Sequence, residues 1–313
     1  MEESHAAHQK EPVISPLIVM AVGVLAISTG SIFIRFAQAE APSLIIAAYR
    51  LILAMCVLAP YGLVRNGREI RGLRTRDWWL GLLSGVFLAL HFATWVSSLE
   101  YTSVASSVIF VNTSPLWVAL ASPFFLKERL SLRAWIGVAI ATLGGIIVAF
   151  SDACAITSSG VTCTGLATFF SGPAFLGNFL ALAGAWTLAG YLMIGRGLRR
   201  ALSLTGYIVI VYGFAMLVMI AVAATMRLPF FGYSLNTYLW LGMLALFPQL
   251  VGHSASNYAL GYLPAALVAV ALLGEPVGAT ILASFLLHET PTAFQIIGGI
   301  LTLIGIYLVS RER

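Results

Sequence analysis

Residues 101–137 read YTSVASSVIFVNTSPLWVALASPFFLKERLSLRAWIG, and residues 262–298 read YLPAALVAVALLGEPVGATILASFLLHETPTAFQIIG. The two stretches align without a gap at an offset of 161 positions. Identical residues fall in step, namely Tyr101 with Tyr262, Pro115 with Pro276, Phe124 with Phe285, Glu128 with Glu289 and Gly137 with Gly298. The same offset pairs Gly23 with Gly184, Arg35 with Arg196 and Gly144 with Gly305. This constant offset indicates that the chain contains an internal duplication.

The composition indicates that most of the chain lies in lipid. Hydrophobic residues make up 60% of it, charged residues only 9%, and the mean hydropathy is +0.95. A helix needs about 20 apolar residues to cross the hydrocarbon core. The apolar runs predict ten such helices, H1 to H10, at 13–36, 43–64, 78–98, 103–125, 132–150, 175–195, 204–226, 237–258, 263–287 and 293–309. The predicted fold class is therefore an all-α integral membrane protein.

Each copy of the duplication holds five predicted helices. Because five is odd, the second copy enters the membrane from the opposite side, so we expect two inverted five-helix repeats. The predicted organisation is a polar N-terminal tail (1–12), a first repeat (13–150), an external loop (151–174), a second repeat (175–309) and a C-terminal tail (310–313). A duplication kept only for packing is the alternative interpretation.

Lysine and arginine predict the orientation, since cytoplasmic loops carry an excess of them. They cluster after H2, H4 and H6 and at the C-terminus, as Arg65, Arg68, Arg71, Arg74, Arg76, Lys127, Arg129, Arg133, Arg196, Arg199, Arg200, Arg311 and Arg313. We therefore expect both termini to be cytoplasmic and the protein to lie in the plasma (inner) membrane. H1 could instead be a cleaved signal peptide, but its apolar run is too long for a signal core.

Several motifs resemble a known family. They are Glu100-Tyr101-Thr102-Ser103-Val104-Ala105, Leu126-Lys127-Glu128-Arg129-Leu130, Glu275-Pro276 and Gln295-Ile296-Ile297-Gly298-Gly299. The chain resembles two tandem EamA-type domains of the drug/metabolite transporter superfamily. The resemblance implies a ten-helix fold with a central cavity lined mainly by H1, H3, H4, H6, H8 and H9. It also implies export or import of small metabolites.

Polar side chains form stripes along the predicted helices, where they are costly unless they face a partner or a cavity. The candidate cavity residues are His91, Thr94, Trp95 and Ser98 on H3, Asn112 on H4, Trp186 and Tyr191 on H6, and Gln249, His253 and Asn257 on H8. We interpret these as the wall of a shared aqueous cavity. The alternative is hydrogen bonding between helices alone, at about 0.6–2 kcal/mol per contact.

Four charged residues receive specific interpretations. Glu275, a carboxylate within H9, is the candidate for proton coupling or for binding a substrate amine, and a structural hydrogen bond is equally compatible. Arg50 within H2 could hold a substrate carboxylate. The family's cavity excludes H2, which favours a structural role for Arg50. Glu128 and Glu289 precede H5 and H10, where they can cap a helix N-terminus.

Two cysteines, Cys154 and Cys163, lie in the predicted external loop. They either form a disulfide or remain free, and the sequence leaves both open.

Other function classes find little support. There is no metal-ligand spacing and no nucleotide-binding fingerprint, so we expect neither metal nor cofactor. The basic residues are confined to particular loops, where they are explained as orientation signals, so nucleic acid is not an expected partner. An intramembrane enzyme would need clustered acids, whereas Glu275 is the single deep acid.

The sequence thus predicts a secondary transporter of a small metabolite, more specifically an exporter of amino-acid-like compounds with protons as the candidate coupling ion. Membrane lipid is its other expected partner. The alternative is a non-transporting membrane scaffold or partner subunit.

Overall fold

The structure, a computed structural model, describes residues 12, 14–125, 131–151, 154–157, 160–163, 170–263, 267–268 and 271–310. These residues are mostly helical, because an apolar segment in lipid must satisfy its own backbone hydrogen bonds. In the described part of the chain, seven helices are long and apolar enough to cross a membrane, at Pro16–Ala37, Ser43–Arg71, Thr75–Ser98, Val104–Ala121, Leu132–Phe150, Pro173–Ala201 and Leu204–Thr225. They coincide with H1 to H7, so the all-α, multi-pass membrane fold is confirmed.

The elements follow the predicted helices, some of which are divided. H1 to H5 correspond to α1 (Pro16–Ser28), α2 (Gly30–Ala37), α3 (Ser43–Arg71), α4 (Thr75–Ser98), α5 (Val104–Val111), α6 (Ser114–Phe125) and α7 (Leu132–Phe150). H6 to H10 correspond to α8 (Pro173–Ala201), α9 (Leu204–Thr225), α10 (Leu235–Leu244), a π-helical segment (Ala245–His253), α11 (Ser254–Leu260), α12 (Gly274–Leu286) and α13 (Ala293–Ser310). Helices α3 and α8 extend beyond the predicted ends of H2 and H6, because arginine and other good helix formers continue the helix past the apolar run.

H4 is broken between α5 and α6. The Asn112 side chain donates to the Val108 carbonyl at 2.9 Å, and the Thr113 hydroxyl donates to the Phe110 carbonyl at 2.7 Å. These bonds compete with the helical backbone pattern. Pro115, which has no N–H, then falls in the first turn of α6, where none is needed.

H9 differs from the sequence expectation in the same way. Glu275 was expected near the middle of a continuous helix, but it lies in the first turn of α12, directly after a turn at residues 272 and 273. Pro276 lacks a backbone N–H, so a helix start accommodates it better than a helix interior. Residues 264–266 and 269–270 of H9, and Glu128 ahead of H5, lie outside the described residues.

The loop between the two copies, which the sequence predicts to be external, contains a small hairpin. Strands β1 (Cys154–Thr157) and β2 (Gly160–Cys163) pair antiparallel, with Cys154 opposite Cys163. The two cysteines are joined by a disulfide, one of the two states that the sequence left open.

Helices α7 and α13 pack closely through glycines at equivalent positions of the duplication. A Cβ atom on Gly144 would lie 2.5 Å from the carbonyl oxygen of Gly298, and one on Gly305 would lie 2.5 Å from that of Gly137. The earlier residue of α7 thus meets the later residue of α13, so the two helices run antiparallel. Any larger side chain at these glycines would push the helices apart.

We expect Gly144→Ala to lower the melting temperature of the detergent-solubilised protein, because overpacking a close contact costs about 1–3 kcal/mol. Gly242→Ala in α10 is the matched control, since no atom lies within 4 Å of a Cβ there. The control should melt at or above the wild-type temperature, because alanine favours the helix over glycine by about 1 kcal/mol. Equal melting temperatures for the two variants would contradict the close α7–α13 contact.

Candidate functional site

Buried polar side chains from the two halves of the chain meet inside the helix bundle. Three of their hydrogen bonds join one half to the other. Arg50 bonds Gln249, Asn112 bonds Glu275, and His91 bonds the Gly184 carbonyl. We call these residues, with Phe92, Trp95 and His253, the central cluster. Its position between the halves makes it the candidate functional site.

Arg50 of α3 is completely buried. Its Nε donates to Gln249 Oε1 of the π-helical segment at 2.6 Å. The guanidinium carbon lies 3.9 Å from the ring centroid of Phe92 and 5.8 Å from that of Trp95. Such cation–π contacts stabilise a desolvated guanidinium by about 2 kcal/mol, which offsets only part of its burial.

The two histidines form an aromatic group beside Arg50. Nδ1 of His91 lies 3.0 Å from the carbonyl oxygen of Gly184 in α8, so that nitrogen carries the proton of the hydrogen bond. The His91 ring stacks on Trp95 at 5.9 Å between centroids, and its centroid lies 6.3 Å from that of His253. His253 also meets Phe92 edge-on at 5.1 Å. These rings give the cluster an aromatic wall.

Glu275 is the acidic residue of the cluster. Its Oε2 accepts from Asn112 Nδ2 at 3.2 Å, and both side chains are buried. The two residues come from the breaks in H4 and H9, which place their side chains opposite each other. No ion pair within 4.0 Å joins Arg50 and Glu275, both of which the structure describes.

Two other candidates belong to a separate hydrogen-bonded group. Tyr191 donates to Asn257 Oδ1 at 2.6 Å, and Asn257 Nδ2 donates to the Tyr212 hydroxyl at 3.1 Å. All three side chains are buried. Tyr212 of α9 was missed by the sequence analysis. The signal available was a tyrosine within an otherwise apolar helix.

The remaining candidates contribute less directly. Ser98 shares a 2.6 Å hydrogen bond with Ser107 between α4 and α5, and Thr94 donates to its own helix at the Leu90 carbonyl. Trp186 is 40% exposed and its ring packs against Trp117 and Phe179, so the structure does not place it in the central cluster.

Glu289 organises a polar network at one end of the bundle. It forms an ion pair with Arg35 at 2.9 Å and accepts from the Val104 backbone N–H at 2.9 Å. Arg35 also donates to the Thr102 carbonyl at 3.2 Å. The network borders an open depression of about 500 Å³. Glu289 therefore connects α2, α5 and the loop before α13. Its carboxylate accepts at the N-terminus of α5, whereas the sequence analysis considered it as a cap for H10.

The described residues contain no group of three His, Cys, Asp or Glu side chains placed to hold a metal ion.

The EamA-like transporter family model matches this chain twice, at residues 14–150 and 175–311. An uncharacterized transporter of Archaeoglobus fulgidus is 25% identical over 303 residues, covering 95% of this chain and 97% of the relative. A riboflavin transporter of Brucella anthropi is 28% identical over 107 residues, or 34% of this chain and 37% of the relative.

A shorter match involves a probable 4-amino-4-deoxy-L-arabinose-phosphoundecaprenol flippase subunit of Hamiltonella defensa, 33% identical over 70 residues, or 22% of this chain and 62% of the relative. A protein of known crystal structure superposes with a TM-score of 0.63 over 94% of this chain and 96% of its own, at 20% identity. That likeness supports the fold.

The Arg50–Gln249 hydrogen bond makes a stability prediction. Gln249→Leu leaves the buried guanidinium without its acceptor and should destabilise the protein by about 2–4 kcal/mol, measured as a lower melting temperature in detergent. Gln249→Glu keeps an acceptor oxygen and should remain close to the wild type. A Gln249→Leu variant as stable as the wild type would show that this hydrogen bond does not contribute to the stability of the protein.

Proposed function

The chain belongs to the EamA-like transporter family, and we propose that it is a secondary active exporter of a small, amino-acid-like metabolite. In this proposal ten transmembrane helices form two inverted five-helix repeats. The repeats exchange conformations and open a shared site to each side of the membrane in turn.

The observation that carries the proposal is the central cluster. Its three hydrogen bonds each join one family copy to the other, through Arg50 and Gln249, Asn112 and Glu275, and His91 and Gly184. A movement of one copy against the other must therefore rearrange this cluster. A site at the interface of two repeats is the arrangement that alternating access requires.

The packing of equivalent positions supports the inverted relation. Helices α7 and α13 end their respective copies, and they meet antiparallel through equivalent glycines. A contact in which each element presents the same surface to the other is typical of a two-fold relation. With α7 and α13 antiparallel, that two-fold axis would lie across the helices rather than along them.

A second pair of contacts repeats across the copies. Gly23 of α1 packs against Ala255, and the equivalent Gly184 of α8 packs against Thr94, which is the position equivalent to Ala255. Likewise Arg35 donates to the Thr102 carbonyl, and its equivalent Arg196 donates to the equivalent Leu263 carbonyl. These paired contacts support a similar network at each end of the transporter.

The charges support an orientation with both termini in the cytoplasm. Glu69, within the arginine-rich end of α3, accepts from the Ser203 N–H at 2.6 Å, which brings two basic segments to one end. The acidic residue Glu40 lies in the α2–α3 connection and accepts from the Ser234 N–H at 2.8 Å. Hydrogen bonds from Ser234 and Thr237 hold the pKa of Glu40 below its usual value, which keeps this external carboxylate charged.

The cluster also supports the substrate and coupling proposals. Hydrogen-bond donors and aromatic rings suit a small polar compound with an apolar part. Glu275, buried and bonded only through Asn112 among the described residues, is the proposed proton-coupling group. A carboxylate that is alternately exposed to the two sides can carry a proton across the membrane.

Transport by the purified chain in proteoliposomes tests the function directly. We expect at least one compound of an amino-acid and metabolite library to be exchanged across the vesicle membrane by this chain alone. The flippase-subunit relative makes a partner subunit the alternative. Failure of the chain alone to move any compound, with transport restored by a second protein, would favour that alternative.

We expect Glu275→Gln to abolish accumulation driven by an imposed pH gradient while exchange at equal pH continues, since glutamine cannot release a proton. Glu289→Gln is the matched control, because its carboxylate lies at the end of the bundle, and it should keep gradient-driven accumulation. Unchanged pH dependence in Glu275→Gln would show that Glu275 does not couple protons.

A further inference from the structure

Arg50 presents an unused hydrogen-bonding edge to the interior of the bundle. A guanidinium carries five N–H donors in a fixed plane. Gln249 takes the one on Nε, and the Phe92 ring covers a face of the plane. The four N–H groups on Nη1 and Nη2 have no partner among the described residues. These two nitrogens form the edge that binds two oxygens at once.

The neighbours of this edge are also donors without acceptors. Within the described ranges, Trp95 Nε1 and Gln249 Nε2 have no hydrogen-bond partner either, and both side chains are buried. Gln249 bonds Arg50 directly, and the Trp95 ring lies 5.8 Å from the guanidinium carbon. Three adjoining side chains thus offer donors around one positive charge. An anion with two acceptor oxygens would satisfy them.

A carboxylate of the protein itself does not fill this role. Glu275 is the acidic residue of the central cluster, and its Oε2 is bonded by Asn112. No nitrogen of Arg50 lies within the 4.0 Å of an ion pair with it. Among the described residues, Gln249 is therefore the one hydrogen-bond partner of the Arg50 side chain.

We propose that Arg50 binds the carboxylate of the transported compound through Nη1 and Nη2, with Trp95 and Gln249 as flanking donors. This inference rests on the proposed transport function and names the class of its substrate, a monocarboxylate. Arg50 is the single cationic side chain of the central cluster among the described residues, and its charge of one matches a carboxylate better than a phosphate. The rings of Phe92 and Trp95 would lie beside the apolar part of the compound.

Binding to purified, detergent-solubilised protein tests this without requiring transport. The probes are butyrate and 3-phenylpropionate, each compared with its neutral amide, butyramide or 3-phenylpropionamide. We expect at least one acid to raise the melting temperature while its amide, of the same shape, does not. The better acid of the two shows which apolar part fits.

Variants then assign the effect to Arg50. Arg50→Lys keeps the charge but loses the two-pronged geometry, and should weaken binding of the acid about tenfold. Trp95→Phe keeps the ring but removes one donor, and should weaken binding about threefold to tenfold even if Arg50 variants fail to fold. Arg35→Gln, which alters an arginine at the end of the bundle, is the control and should bind as the wild type does.

Equal effects of acid and amide, or none from either acid, would overturn the proposal, as would unaltered binding in both Arg50→Lys and Trp95→Phe. The outcomes separate this inference from the transport function. If the wild-type chain moves library compounds but shows no preference for carboxylates, the proposed transport function stands and the carboxylate site is wrong. A chain that binds the acids but moves nothing retains the site and loses the function.

Discussion

A guanidinium and a carboxylate buried in the same lipid-embedded bundle constrain most of the remaining structure. Moving an unpaired charge out of water costs several kcal/mol, so Arg50 and Glu275 persist only where other groups surround them. Gln249, Phe92 and Asn112 supply that surrounding, and they come from both halves of the chain. The halves are therefore held together at their polar centre. This is also the place where a substrate could alter their relative position.

The breaks in H4 and H9 give the centre its geometry. Asn112 lies in the turn that ends α5, and Glu275 lies in the first turn of α12. The turns at residues 112–113 and 272–273 thus stand beside the two side chains that meet. Pro115 follows the first turn and Pro276 follows the second, at equivalent positions of the duplication. The two copies therefore share the same helix break near the centre.

The sequence predicts the helices well because an apolar run in lipid must satisfy its backbone hydrogen bonds within itself, and a helix does so. It also predicts which residues are equivalent, and the glycines of α7 and α13 show this at their contact. It does not predict that Arg50 faces Gln249, because that depends on the rotation of α3 against a π-helical segment. The same holds for Trp186, which the sequence predicted as a cavity residue beside Tyr191 but whose side chain is 40% exposed. Helix rotation is set by packing between elements distant in the sequence.

The central claim is that a site between the two copies opens to each side of the membrane in turn. His253 of the central cluster is buried and its ring contacts His91 and Phe92 of the other copy, so a cysteine there reports on access to the site. The most direct measurement is labelling of His253→Cys, with the three native cysteines replaced by serine, using a membrane-impermeant thiol reagent applied from either side. The account predicts labelling from both sides, with a transported compound changing the ratio of the two rates. Labelling from one side alone, with or without the compound, would contradict it.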